Sequence, residues 1–211
     1  MFNYCIWDFN GTILDDTDLC VRIENTLRTK RELPETTRLR YQAEYCFPVE
    51  DYYKKAGADF KNESFADVAR EFMEIYQPAS LGISLRAGMI SLITALKRQS
   101  RKQILLSASQ RSNLIEQTNH YGITDLFDDI LGLDDIYGGT KVDTALRWFV
   151  KNRVTPEYAV VIGDTTHDYE VSQAARCGCL LLCGGHNSRE RLLATGAAVM
   201  DSVEELAELL M

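Results

Sequence analysis

The sequence lacks the features that mark several large classes of protein. Its six cysteines form no CxxC pair, and its three histidines complete no zinc-binding pattern. Cys5, Cys179 and Cys183 lie in apolar runs, where a free cysteine is usually a small core residue. No apolar run approaches the roughly 20 residues of a membrane helix, and the opening MFNYCIWDFNGT lacks the basic segment of a secretory signal. We therefore expect a cytoplasmic protein that does not enter the membrane.

Positive charge is also scarce. The chain has 23 lysines and arginines against 31 aspartates and glutamates, which gives a formal net charge of -8. Such a balance argues against a nucleic-acid interface, which needs clustered positive charge. It suits an enzyme that meets a small anionic substrate with a few local cations. Composition does not fix the oligomeric state, and we expect a monomer or a weak dimer.

Short apolar runs alternate with amphipathic stretches over most of the chain. The predicted strands are Tyr4–Trp7, Gln103–Ser107, Phe127–Leu131, Ala159–Ile162, Leu180–Cys183 and Ala197–Met200. The predicted helices are Met89–Lys97, Ser112–Tyr121, Val142–Lys151, Tyr169–Arg176 and Val203–Leu210. This alternation predicts an α/β fold with a Rossmann-like, doubly wound parallel sheet covered on both faces. Such sheets bind ligands beyond the carboxyl ends of their strands.

One long segment between the first two strands has helical periodicity and no convincing strand. The apolar residues that recur at helical spacing are Leu19, Ile23 and Leu27, and then Phe65, Val68, Phe72 and Ile75. Roughly 65 residues are far more than a strand crossover requires. The sequence therefore predicts an all-helical cap domain over residues 17–82, inserted into a core domain of residues 1–16 and 83–211, with a cleft between them.

Carboxylates follow two of the predicted strands. Asp8 ends the first strand and opens the run DFNGT, while Asp164 follows the strand AVVI. Asp168 lies four residues after Asp164, a spacing that places both on one face where a helix begins. A cap for the following turn would explain Asp8 alone about as well. Taken together, the three carboxylates are typical of a site for a hard cation and phosphate.

Groups that can bind phosphate accompany these carboxylates. Ser107 closes the second strand and is followed by Ala108, so a hydroxyl and backbone N–H groups can hold phosphoryl oxygens. Lys141 follows the flexible run YGGT and can supply a point charge to the phosphate. Each motif is weak alone. Their order along the chain is what makes them specific.

With these motifs in this order, and a helical insertion after the first, the sequence resembles the haloacid dehalogenase superfamily. The similarity is to its phosphoglycolate phosphatase-like branch and spans nearly the whole chain. The resemblance implies that Asp8 attacks phosphorus and becomes an aspartyl phosphate, while Ser107 and Lys141 neutralise the phosphoryl group. It further implies a Mg²⁺ cofactor held by Asp8, the backbone carbonyl of Asn10 and Asp164, with Asp168 orienting a bound water or joining the ligands. The expected substrate is a small phosphorylated metabolite.

The sequence departs from that family at Asn10, where most of its phosphatases have the aspartate that works as general acid and base. An amide can align a water molecule but cannot exchange this proton, a loss that typically costs about 10²–10⁴-fold in rate. Alkyl phosphates should therefore turn over slowly, and Asn10→Asp should accelerate them. Two alternatives stay open: a catalytically weak binding or regulatory protein, and a phosphonate hydrolase that uses a cap lysine. The candidate lysines are Lys30, Lys54, Lys55 and Lys61.

Four other features have ambiguous roles. His167 could touch the substrate, but a solvated loop histidine is the simpler interpretation. Asp15 and Asp16 could replace the missing acid, although capping of the first cap helix explains them more simply. The segment from Tyr45 to Val49 resembles a loop that closes over substrate in relatives. Its aromatic residues are equally explained as packing of a small helical domain.

Overall fold

A parallel six-stranded sheet forms the centre of the molecule in the computed structural model, which describes residues 2–61 and 63–211. The strands are β1 (Tyr4–Trp7), β2 (Lys102–Gln110), β3 (Asp129–Leu133), β4 (Ala159–Gly163), β5 (Gly178–Leu182) and β6 (Ala198–Met200). Their order is β3-β2-β1-β4-β5-β6, and every neighbouring pair is parallel. The predicted α/β fold with a doubly wound sheet is confirmed.

Helices follow the strands as the sequence predicts. Four precede β2 within the insertion: α1 (Thr17–Lys30), α2 (Arg38–Glu44), α3 (Val49–Lys55) and α4 (Phe65–Ser80). The others are α5 (Met89–Arg98), α6 (Arg111–His120), α7 (Val142–Asn152), α8 (Thr166–Ala175), α9 (Arg189–Leu193) and α10 (Val203–Leu210). The short helix α9 is not predicted from the sequence. No described helix is both long and apolar enough to cross a membrane.

The central strand β1 contributes side chains to both faces of the sheet. Cys5 and Trp7 belong to one buried cluster, with α5 and α10, whereas Ile6 belongs to a second cluster with α7 and α8. This follows from the two-residue period of a strand, which sends successive side chains to opposite faces. Cys5 is a core residue as predicted, while Cys179 and Cys183 are only partly buried.

The insertion has a hydrophobic cluster of its own. Leu19, Ile23 and Leu27 are buried there as predicted, together with Val68 of α4. The predicted stripe is wrong at its end. Ile75 is 38% exposed, and the buried residue is its neighbour Tyr76, whose hydroxyl bonds to Asp16.

Two chain segments connect the insertion to the sheet, and they run side by side. Leu14 and Leu85 form an antiparallel bridge, and Asp15 N donates to Ser84 O at 3.1 Å. Both connections therefore lie close together, a geometry that suits a hinge. The division into a cap at 17–82 and a core at 1–16 and 83–211 stays a prediction.

Candidate active site

Four of the predicted site residues meet at the carboxyl edge of the sheet. Asp8 directly follows β1, Ser107 lies in β2, Asp164 directly follows β4 and Lys141 precedes α7. The chain at Asp8 is fixed by its N–H, which donates to Ile162 O of β4 at 2.8 Å. Because β2 and β4 flank β1 on either side, these side chains surround Asp8. All four are buried.

Lys141 is held among carboxylates. Its Nζ lies 2.5 Å from Asp8 Oδ1 and 2.7 Å from Asp168 Oδ1, and it also donates to Leu106 O at 3.2 Å. Burial opposes the charge of this ammonium group, but the carboxylates of Asp168 and Asp8 outweigh it and raise the pKa of Lys141 above its ordinary value. Lys141 therefore stays protonated beside the candidate nucleophile.

Asp8, Asp164 and Asp168 form a compact buried group, with one oxygen of each within 4.8 Å of the others. Asp164 accepts hydrogen bonds from Thr12 Oγ1 and His186 N, both at 2.6 Å. Burial raises the pKa of Asp8 well above its ordinary value, and the neighbouring carboxylates add to this against the opposing effect of Lys141. The pKa of Asp164 is raised as well, mainly by burial. The site therefore holds more negative charge than its own cations neutralise.

These residues fit a hard divalent cation. Three carboxylates face a single ammonium group, and carboxylate oxygens are the ligands that Mg²⁺ prefers. Asp168 Oδ1 lies 2.7 Å from Lys141 Nζ and has no further donor among the described residues, so it can also face a cation. Asp168 Oδ2 is occupied instead, by Thr165 N and Oγ1 at 3.0 and 2.7 Å. The backbone carbonyl of Asn10 as a further ligand stays a prediction.

Glycines leave room for these carboxylates. A Cβ on Gly185 would lie 2.1 Å from Asp164 Oδ2, and one on Gly163 would lie 2.0 Å from Asp168 Cγ. Both distances are far below van der Waals contact, so no other residue fits at these positions without moving the carboxylates.

The end of β2 bulges towards the site. Pairing with β3 loses register between Leu106 and Gln110, so that the predicted phosphate-binding residues Ser107 and Ala108 lie in an irregular stretch that lines the cavity. Ser109 N donates to Ser107 Oγ at 3.0 Å, which fixes the turn.

Asn10 makes hydrogen bonds with both ends of its amide. Its Oδ1 accepts from Ser109 Oγ at 2.8 Å and from Ser107 Oγ at 3.2 Å. Its Nδ2 donates to Asp16 Oδ2 at 3.0 Å and to Tyr76 OH at 2.6 Å. The orientation of the amide follows from these partners, because a carboxylate can only accept and the serine hydroxyls can donate. Asn10 is thus matched to its surroundings rather than simply replacing an acid.

Asp16 is the centre of that match, and its predicted role as a helix cap is wrong. It precedes α1, yet its side chain makes no capping hydrogen bond to that helix. Its Oδ1 accepts instead from Gly11 N at 2.8 Å, and its Oδ2 accepts from Asn10 and Tyr76. Burial alone would raise the pKa of Asp16, but His186 and these donors hold it below its ordinary value. Asp15, by contrast, is exposed.

His186 is a site residue that the sequence analysis missed. Its Nε2 lies 3.2 Å from Asp16 Oδ1, and its Nδ1 lies 2.9 Å from the hydroxyl of Tyr41 in α2. Burial works against the imidazolium, but Asp16 and Asp164 raise the pKa of His186 above its ordinary value. One signal was available in the sequence, since His186 directly follows the pair Gly184-Gly185 at the end of a strand.

His167 is not the solvated loop residue that was expected. It lies in the first turn of α8, where it is buried, and its Nε2 accepts from Lys141 N at 3.1 Å. Its ring stacks on Phe47 of the insertion with the ring centroids 4.8 Å apart. Burial and the nearby charge of Lys141 lower the pKa of His167. The residue thus orients Lys141 and supports the cap loop.

A cavity of about 140 Å³ lies above Asp8, between the sheet edge and the insertion. Its floor includes Asp8 and the Ser107–Ser109 stretch. Tyr45, Phe47 and Val49 line it from above, so the segment predicted to close over substrate lies where expected. The insertion is tied down beside it, where Gln42 Nε2 donates to Gly185 O at 2.6 Å.

The model for the haloacid dehalogenase-like hydrolase family matches residues 5–182, and the chain belongs to this family. The matched range contains the sheet through β5, the helical insertion and all four motif segments described above. The six-stranded parallel sheet with a helical insertion after the first strand agrees with this membership.

Individual relatives are distant but extend over the whole chain. A phosphoglycolate phosphatase from Vibrio vulnificus (strain YJ016) is 24% identical, covering 97% of this chain and 94% of its own. A predicted phosphatase from Clostridium acetobutylicum has a similar structure with a TM-score of 0.84, at 16% identity over 100% of this chain and 98% of that one. CbbY from Rhodobacter sphaeroides, in complex with xylulose-(1,5)bisphosphate, has a TM-score of 0.75 at 22% identity, covering 98% and 96% of the chains. These structural similarities establish the fold.

Proposed function

We propose that the chain is a Mg²⁺-dependent phosphatase that hydrolyses a small phosphorylated metabolite through an aspartyl phosphate on Asp8. The observation that carries this proposal is the position of Asp8. Its carboxylate lies at the bottom of a cavity, 2.5 Å from a buried lysine and beside two further carboxylates. Membership in the hydrolase family supports the same chemistry.

In the proposed reaction, an oxygen of Asp8 attacks the phosphorus and the bond to the leaving oxygen breaks. Lys141 then shares its hydrogen bonds between Asp8 and the phosphoryl oxygens, and the Ser107 hydroxyl, which donates to Asn10 Oδ1 at 3.2 Å, turns to donate to them. Bound Mg²⁺, held by Asp8, Asp164 and Asp168, would neutralise the negative charge that these residues and the phosphoryl group bring together. Water attack on the aspartyl phosphate completes the cycle and regenerates Asp8.

The test uses a pair of identical substitutions, Asp8→Asn and Asp15→Asn. Asp8→Asn should lower phosphate release at least about 1,000-fold and abolish trapping of a phosphoenzyme, because the nucleophile is lost. Asp15 is exposed, so Asp15→Asn should leave both unchanged. Circular dichroism and thermal unfolding check that each variant is folded. Substantial phosphate release by Asp8→Asn would overturn the covalent mechanism.

A binding or regulatory protein remains the second candidate, since the amide of Asn10 cannot exchange a proton. A panel of phosphorylated metabolites with Mg²⁺ separates the two, because genuine turnover of any of them rejects a pure binding role. The geometry gives less support to phosphonate hydrolysis. None of the four cap lysines lines the described cavity. Lys30, Lys54 and Lys61 are paired with carboxylates near the surface.

The compounds named for two of the relatives carry a second anionic group besides one phosphate. Phosphoglycolate has a carboxylate, and xylulose bisphosphate has another phosphate. A phosphatase for such a substrate has to bind the second anionic group, most strongly with a positively charged side chain. The side chains that line the cavity determine whether this chain can bind such a group.

A further inference from the structure

The cap side of the cavity is aromatic. Eight of its lining residues are tyrosines or phenylalanines of the helical insertion: Tyr41, Tyr45, Phe47, Tyr52, Tyr53, Phe65, Phe72 and Tyr76. They pack on each other, with Tyr45 stacked on Tyr41 at 4.9 Å and edge-on to Phe47 at 5.4 Å between ring centroids. This wall is therefore a connected set of rings.

Positive charge is missing from the same wall. No lysine or arginine is among the residues that line the cavity in the described part of the chain. The imidazole of His186, which also lines the cavity, is already paired with Asp16. The carboxylate of Glu24 adds negative charge to the wall, where it contacts Arg28 and the hydroxyl of Tyr52. An anionic group on the leaving side of a substrate would lose its hydration there without gaining a partner, which costs several kcal/mol.

Few hydroxyl groups are free to recognise a sugar. The hydroxyls of Tyr41, Tyr52 and Tyr76 are already bonded to His186, Glu24 and Asp16. A polyol with several hydroxyls would leave some of them buried and unpaired, at about 1–3 kcal/mol each.

We propose, on the basis of the phosphatase function above, that the substrate is a monophosphate ester of an uncharged aromatic alcohol or phenol with about one ring. An apolar cavity of about 150 Å³ holds one benzene molecule. The cavity of about 140 Å³ here must also hold the phosphoryl group, so the leaving group can be no larger than about one ring. The ring gains contact with the aromatic wall, where such pairs contribute about 0.5–1.5 kcal/mol beyond the burial of their surface.

Asn10 favours the phenolic ester within this class. A phenol has a pKa of about 10, compared with about 15.7 for water, so a phenolate departs without a general acid. The P–O bond breaks with its electron pair on the phenolate, which takes a proton from water, while the Asp8–phosphorus bond forms. Water then cleaves that bond, so that the aryl phosphate and water give the phenol and hydrogen phosphate.

A matched pair of substrates tests the proposal. Phenyl phosphate and 4-carboxyphenyl phosphate have similar leaving groups but differ by one anionic group, so their ratio of kcat/KM reports the cavity rather than intrinsic reactivity. We expect phenyl phosphate to be favoured at least about 10-fold, and 2-phosphoglycolate to be a still poorer substrate. The proposal would be overturned by equal kcat/KM for the two aryl phosphates, or by a preference for 4-carboxyphenyl phosphate or 2-phosphoglycolate over phenyl phosphate.

A pair of variants on one helix sharpens this test. Met73 of α4 lines the cavity, whereas Ile75 on the same helix is exposed and does not. Met73→Lys should reduce the preference for phenyl phosphate by about 10-fold, as expected for one new charged contact, and Ile75→Lys should not. If Met73→Lys does not fold, the substrate pair on the native chain still decides.

Failure of the phosphatase function is distinguishable from failure of this inference. If no phosphate ester is hydrolysed, the proposed function is wrong, and calorimetric binding of the two aryl phosphates to Asp8→Asn still measures the preference. Tighter binding of phenyl phosphate would support the inference. Equal or tighter binding of the carboxylated analogue would overturn it.

Discussion

The floor and the roof of the cavity are built by opposite rules. The floor is charged and buried, with Asp8, Asp164 and Asp168 around the single ammonium group of Lys141. The roof is formed by aromatic side chains of the insertion, without a lysine or arginine among its described residues. The floor therefore matches a phosphoryl group and a metal ion, while the roof matches an uncharged organic group. In the proposed function, the floor of the cavity therefore carries out the reaction and the roof selects the substrate.

Apart from loss of the nucleophile itself, removing the cation of the floor should have the largest effect. Lys141→Met should lower kcat/KM by about 10²–10³-fold, because one charge that stabilises the transferring phosphoryl group is lost. The same change at Lys151, which is exposed in α7, is the control and should have no effect. Steady-state kinetics with a single phosphate ester measures both. A fall of less than about 10-fold would mean that Lys141 only balances the charges of the folded floor.

Exchanging the side chains of Asn10 and Asp16, which are bonded to each other, should have an intermediate effect. In Asn10→Asp alone, the new carboxylate would lie about as close to Asp16 as the 3.0 Å seen for the amide. Two carboxylates this close cannot both ionise, so they would share a proton. Asn10→Asp/Asp16→Asn removes that conflict and should hydrolyse alkyl phosphates about 10-fold faster than Asn10→Asp, within the range of general acid–base catalysis.

The control for this exchange is Asn10→Asp/Asp18→Asn, in which the second change is at an exposed aspartate. It should behave like Asn10→Asp alone. Aryl phosphates should respond little to any of these changes, since their leaving groups need no proton. Equal rates for the single and the exchanged variants on alkyl phosphates would show that Asp16 does not restrain an acid at position 10.

The smallest effect should come from the ion pair between His186 and Asp16, which bond to the roof residues Tyr41 and Tyr76. His186→Gln should lower Tm near pH 6 by a few degrees, since about 1 kcal/mol corresponds to about 2–4 °C in a domain of this size. The fold raises the pKa of His186. Its charge therefore stabilises the fold fully below about pH 6.5, the ordinary histidine value, and this contribution is lost as the pH rises through the raised pKa.

Thermal unfolding of both chains between pH 5 and 9 measures this difference. Asp16, with its lowered pKa, stays ionised throughout that range, so the change should come from the histidine. The gap in Tm between the native chain and His186→Gln should narrow towards alkaline pH. A gap that widened instead would mean that neutral His186 is the form that the fold prefers.

Sequence reasoning was most successful for the floor. Asp8, Ser107 and Asp164 could be found because parallel strands bring their carboxyl ends to one edge, so that position along the chain implies proximity in space. The roof follows no such rule. Whether Ile75 or Tyr76 is buried depends on a rotation of α4 by one residue. In the fold it is Tyr76 that is buried, where its hydroxyl bonds to Asp16.

The same limit explains the errors at single polar residues. Asp16 has the position of a helix cap, and His167 has the setting of a surface loop. Their actual partners, His186 and Lys141, are distant in sequence, and only the folded chain brings them together. His186 was missed although it follows two glycines at the end of a strand, because its partners Asp16 and Tyr41 are far from it in the sequence.

The dipeptide Asn10-Gly11 has a consequence for the ageing of the protein. In such a dipeptide the asparagine loses its side-chain amide when the glycine nitrogen attacks the side-chain carbonyl carbon. Here Gly11 N donates to Asp16 Oδ1 at 2.8 Å and to Leu14 O at 2.9 Å, and the amide of Asn10 is held at both ends. Folding therefore protects Asn10 from the deamidation that proceeds in the unfolded chain. The fraction of aspartate at position 10 of an aged sample should report how long its molecules have been unfolded.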